Sequence, residues 1–229
     1  MTEESPGDAL RPRVETIPCP FVATAYNNRA LEPDPDGTIH QDAIAETLSR
    51  FGLADGLRTK LAHFVIIADE SPDTVNLFNM RDSRIDHTGS TGIRDPEVDP
   101  SKLPGLLAFG ERGRMYRRHF ARAANHFRRD DPGVKGGIAQ CVEFTALLEV
   151  FGRLDESCER CGDRYLTDAD VADLWLHGRY PEGWKPRAPD SITGVGFLLS
   201  ALRTMTRAAA YVVWDLLRGE GPPARSSPG

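Results

Sequence analysis

At 229 residues, 40% of them apolar and 27% charged, the chain is long enough for one domain with a substantial core and has an ordinary globular composition. Its net charge of −6 gives no general pull toward nucleic acid or an anionic membrane. The four cysteines (Cys19, Cys141, Cys158, Cys161) are too few and too unevenly spread for a disulfide scaffold, and the opening MTEESPGDALRPRVETIPCP lacks the apolar run of a secretory signal, so a cytoplasmic protein is expected.

In chain order, residues 1–17 are rich in Pro and acids and form an irregular arm leading to the Pro18-Cys19-Pro20 turn. Residues 18–218 are expected to form one helical domain, and 219–229 (GEGPPARSSPG) a disordered tail. A helix starts after Pro20, because FVATAYNNRAL has apolar residues at helical spacing and Pro suits a first turn. EPDPDG breaks it; the helical period returns over Thr38–Leu48, with Thr38 as a cap, and again over Gly52–Ile67. Residues 73–80 alternate as a short strand would, and SRIDHTGSTGIRDP is turn chemistry. Further helices are expected at 102–109, 111–127, 136–152, 167–177 and 194–217. The last contains Arg203, Arg207 and Asp215, which argues for a buried or partner-facing amphipathic helix over a membrane span. The expected fold is mainly α, with little β structure.

Two prolines around Cys19 fix the backbone at the mouth of a helix, and Pro20 drives Cys19 itself toward an extended form. A helix N-terminus favours an anion, so a thiolate there is suited to bind a metal. The tripeptide alone better suits a buried structural cysteine beside a proline turn.

The longer stretch bears on that choice. PCPFVATAYNNRALEPDPDGTIHQDAI resembles the opening of the haem-thiolate peroxidase family, the chloroperoxidases and unspecific peroxygenases, with its PCP motif, a helix ending in an Asn-containing turn, and a D-G-x-I segment opening the next helix. NLFNMRDSRIDHTGS resembles the family's acidic-His-Asp-x-Ser segment, QCVEFTALLEVFG its helix carrying an acid-base Glu, and RYPEGWKPR its Pro-rich closing segment. The likeness runs in order over roughly residues 14–190.

This resemblance implies a single helical domain enclosing a haem b, with Cys19 as the proximal iron ligand; thiolate donation favours O–O cleavage in peroxide. It implies Glu143 as the acid-base group, and the apolar neighbours Val142, Phe144 and Leu147 are surroundings that would raise its pKa. Glu149, six residues on and roughly opposite-faced, is the weaker alternative. Longer family members place an Arg one helical span before the Glu; here Gly136 stands seven residues before it, so the shorter scheme applies, with His87 orienting Glu143. The same resemblance implies a Mg or Mn ion held by Asp86, the His87 backbone carbonyl and Ser90, oxygen donors suited to a hard cation. Two departures bear on that site: Asp86 is one methylene shorter than the usual Glu, and Thr88 replaces the Asp that supports the His.

The substrates implied are hydrogen peroxide and a small organic molecule, oxidised, oxygenated or halogenated in a specialised reaction such as one of secondary metabolism. Other signals are weaker. Glu32-x-Asp34-x-Asp36-Gly37 begins like a calcium loop but has Ala43 where a bidentate Glu is needed, and reads as a turn. Cys158-Glu-Arg-Cys161 is a lone CxxC without finger spacing. RGRMYRRHFARAANHFRR reads as a core-facing helix with an arginine-covered outer face rather than an RNA site. The rival from another class is a non-catalytic helical protein that binds a partner through its C-terminal amphipathic helix.

Overall fold

The computed structural model describes residues 13–66, 73–78, 93–94, 98–127, 134–156 and 163–217. Helices dominate, and two small antiparallel sheets close the edges of the helical core.

Helix α1 (Pro20–Asn27) has Pro20 in its first turn, where a missing N–H costs nothing. It buries Val22, Ala23, Thr24 and Ala25. A turn comes next, in which Asp36 Oδ1 accepts from the Thr38 amide at 3.0 Å, as the turn reading of this segment expects. Thr38 is not a helix cap. It opens strand β1 (Thr38–His40), which pairs antiparallel with β2 (Thr74–Asn76) in the register Thr38 to Asn76, Ile39 to Val75 and His40 to Thr74. The pairing buries Ile39 and Val75 together, a long-range gain that outweighs three more residues of helix. Helix α2 (Gln41–Arg50) therefore starts later than the periodicity indicates, and packs against α3 (Asp55–Ile66).

A 3₁₀ turn at Pro100–Lys102 leads into the short helix α4 (Leu103–Leu107). The stretch expected as one helix over 111–127 divides: β3 (Arg114–Tyr116) precedes α5 (Arg117–Phe127). β3 pairs with β5 (Arg164–Thr167), which also pairs with β4 (Arg153–Leu154). Helix α5 buries Phe120, Ala121, Ala123 and Ala124 and turns Arg118 and Arg122 outward, while Arg117 points inward.

Helix α6 (Val134–Phe151) packs on α5 and on the long α8 (Gly194–Leu217). Between them α7 (Asp168–Ala172) begins with a reciprocal cap, in which Thr167 accepts from the Asp170 amide and Asp170 from the Thr167 amide, then continues as a π-turn over Asp173–His177. Phe120, Phe144 and Trp175 from α5, α6 and the π-turn meet in the core with ring centroids 4.9 to 6.1 Å apart. Among the described residues no helix is long and apolar enough to cross a membrane.

Candidate functional site

Cys19 is the N-cap of α1, in extended backbone with φ −81° and ψ 116°, as its two prolines require. Three sets of contacts hold the start of α1 in place. Upstream, buried Arg94 donates from Nε to the Trp175 carbonyl at 2.7 Å and from Nη1 to the carbonyls of Val14 at 2.9 Å and Ile17 at 2.7 Å. Downstream, Asn27 Nδ2 donates to the carbonyls of His177 and Gly178, and Asn28 Nδ2 to those of Thr24 and Gly178. The third is a close approach at Gly178, whose φ of 55° is left-handed and where a Cβ would lie 2.8 Å from Val14 Cγ1 and 3.2 Å from the Ala23 carbonyl oxygen. The π-turn therefore docks directly on the helix that presents Cys19.

Cys19 lines an open-mouthed cavity. α1 contributes Phe21, Val22 and Ala25; α2 contributes Ile44, Thr47 and Leu48; and α6 contributes Val142, Glu143, Ala146 and Val150. Leu31, Leu53, Leu61, Ile192 and Phe197 complete it, with Leu53 and Ile192 brought together where the amide of Ile192 donates to the Gly52 carbonyl and that of Ala54 to the Ile192 carbonyl. Gly52 is needed there: its φ is 91°, and a Cβ would lie 2.8 Å from Arg187 Cβ. The Thr47 hydroxyl is spent on the carbonyls of Ala30 and Ala43, so the walls are apolar, and the carboxylate oxygens of the lining residue Glu143 are themselves buried.

The structure thus brings two of the expected site residues, Cys19 and Glu143, to one cavity. Val142, Ala146 and Val150 recur at four-residue spacing and define the α6 face that looks into it, with Glu143 beside them and only 7% exposed. Glu149 lies on another face of α6. Arg117 Nη2 donates to it at 2.8 Å, Arg164 Nε lies 3.7 Å away and Arg187 Nη1 4.0 Å, and the Ser200 hydroxyl donates to the same carboxylate. It is a hub for three cations, away from the cavity lining. Cys141 is also on α6 but is buried, and burial pushes its thiol up to about 11.

Behind the Val150 wall stands an aromatic cluster of Phe51, Phe151, Tyr180 and Trp184, with Tyr180 and Trp184 centroids 4.5 Å apart and Trp184 Nε1 donating to the Val150 carbonyl. Tyr180 and Trp184 come from the RYPEGWKPR segment, which packs against the cavity wall. Asp86, His87 and Ser90 lie outside the described residues, as do Cys158 and Cys161. Sequence reasoning missed Arg94 and the arginine hub around Glu149. Arg94 comes after turn residues with no periodicity, and nothing local marks it as buried. No family model and no curated protein matches the chain.

Proposed function

We propose that this protein is a haem-thiolate peroxidase or peroxygenase in which Cys19 is the proximal ligand and Glu143 the acid-base residue. The observation that carries the reading is the convergence of these two side chains, from α1 and α6, on one otherwise apolar cavity. The donor chemistry fits a haem: a thiol at a helix N-terminus for the iron, apolar walls for a flat macrocycle, and a buried carboxyl on a residue that lines the same cavity. When bound, the haem supplies redox chemistry toward peroxide that no side chain here offers.

The remaining work falls to the chain. Glu143, held in apolar surroundings, would take a proton from one oxygen of hydrogen peroxide and return it to the other, so that this oxygen could leave as water; accepting the remaining oxygen and supplying the two electrons would be the chemistry of the bound haem. The walls from α2 and α6 keep bulk water out and select a small apolar organic substrate. His87, as the residue orienting Glu143, and a Mg or Mn ion on Asp86, the His87 carbonyl and Ser90 belong to the same proposal.

The test is spectroscopic. Hemin added to the purified chain should bind, and the reduced, CO-bound protein should show the red-shifted Soret band of thiolate ligation; Cys19→His should abolish the band while hemin still binds. A red-shifted band that persists in Cys19→His removes the assignment.

One observation favours a second reading. Helix α8 leaves Val195, Leu198, Leu199 and Leu202 exposed by 45% or more, and Val213, Trp214 and Leu217 by 52% or more, a surface suited to a partner. A colourless protein that takes up no added hemin would select that non-catalytic role.

A further inference from the structure

Arg94 is 5% exposed, and its guanidinium spans three carbonyls from two parts of the chain. Two of them belong to Val14, the first residue of the 3₁₀ turn Val14–Thr16, and to Ile17, which caps its end and stands two residues before Cys19. The third, Trp175, belongs to the π-turn that docks on α1. A planar guanidinium holds its donors in a fixed fork, so carbonyls bonded to one such group keep their mutual positions. Irregular backbone is otherwise the most mobile part of a protein. Burying this cation is costly: burial lowers its pKa to about 10, opposed by the charges of Cys19, Glu15 and Glu143, with Cys19 the strongest. Its Nη2 is buried with no hydrogen-bond partner among the described residues. A surface turn does not need such a cation; a reactive side chain that must be held to a fraction of an ångström does.

We propose that Arg94 is the positioning residue for Cys19: by tying the approach to Pro18-Cys19-Pro20 onto the π-turn, it holds the thiol at the edge of the cavity in the geometry the iron requires. The inference rests on the haem-thiolate reading for its purpose, and on the hydrogen bonds for its geometry. Lysine cannot replace the fork, because its donors radiate from one nitrogen.

The experiment uses the full chain, with and without hemin, as wild type, Arg94→Lys and Arg94→Met. Losing one charged hydrogen bond shifts the balance between held and released loop by roughly tenfold. Both variants should therefore bind hemin yet show a red-shifted CO band reduced by roughly that factor relative to an unshifted one, Lys less severely than Met. In the hemin-free chain, exchange protection at the amides of Thr16 and Ile17, which donate to the Arg13 and Val14 carbonyls, should fall while amides of α6 and α8 keep theirs. A wild-type band ratio in Arg94→Met, or protection lost equally across α6, overturns the proposal. A wild type without any red-shifted band defeats the haem reading alone, and the exchange result still decides whether Arg94 holds the loop. Should both variants fail to fold, warming the hemin-loaded wild type toward its melting transition decides: loss of the band with Thr16 and Ile17 still protected refutes the clamp, and loss of the two together supports it.

Discussion

Exchanging carboxylate for amide at two positions on one helix separates chemistry from architecture. Glu149 is bonded to Arg117 at 2.8 Å, with Arg164 and Arg187 at 3.7 and 4.0 Å, and the side chains involved are between 8% and 19% exposed. Removing one partner of a buried ion pair costs about 3–5 kcal/mol, because the cation left behind stays buried. Gln retains the shape and one acceptor for Arg117 and Ser200, so Glu149→Gln should cost about 3 kcal/mol, the lower end of that range. For a chain of this size that lowers Tm by roughly 6–12 °C. Glu143→Gln should leave Tm within a few degrees, since an amide is easier to bury than a carboxylate, and lower peroxide-dependent turnover of the hemin-loaded protein by about 10² to 10⁴-fold. Calorimetric melting of the free chain and single-turnover peroxide kinetics measure the two effects separately. Full activity in Glu143→Gln, or a Glu149→Gln protein that melts normally but has lost turnover, would show that the two roles are assigned to the wrong carboxylates.

Buried Asp170 is bonded through both oxygens to the exposed Arg153 at 2.8 and 2.9 Å. Burial raises its pKa, but the bonds from Arg153 and from the Thr167 amide and hydroxyl outweigh that and hold the carboxyl below its ordinary value of 3.8. With the folded pKa depressed, the stability it contributes is present above about pH 4 and is lost as pH falls through the lower folded value. Asp170→Asn should accordingly be about 2 kcal/mol less stable at neutral pH and show a flatter acid limb in denaturant titrations at successive pH; an unchanged acid limb refutes the linkage. For the cation, treating hemin-loaded protein with a chelator should release Mg or Mn and loosen the haem, and Asp86→Asn should do the same. Metal analysis finding no divalent ion in fully loaded protein removes that site and leaves Cys19 untouched.

Much of the helical framework was legible because its causes are local. Pro20 starts α1, apolar periodicity marks α6 and α8, and the turn residues from Glu32 to Gly37 separate α1 from the strand and helix after it. The elements that escaped were decided by distant partners. Thr38 reads as a cap until Asn76 is paired opposite it, and Arg114–Tyr116 reads as helix until β5 lies beside it. The site divides in the same way. The bracketing prolines aim Cys19, and the resemblance of the QCVEFTALLEVFG segment points to Glu143, but that both line one cavity is a tertiary fact. Arg94 and the arginines around Glu149 carry no local signal at all, because each is defined by the carbonyl or carboxylate it reaches.

The two described cysteines show how the fold chooses between chemically identical groups. Cys141 lies on α6, the helix that carries Glu143, yet its thiol is sealed in the core and held protonated by burial, with a pKa near 11. A neutral, inaccessible thiol is a poor ligand. Cys19 is half-buried, caps a helix whose dipole favours negative charge, and borders the cavity. Buried Arg94 holds the backbone just ahead of it. An alkylating reagent added to the folded, hemin-free chain should therefore modify Cys19 and spare Cys141, and hemin should protect Cys19. Peptide mass spectrometry reads both, and equal modification of Cys19 with and without bound hemin would count directly against iron ligation at this sulfur.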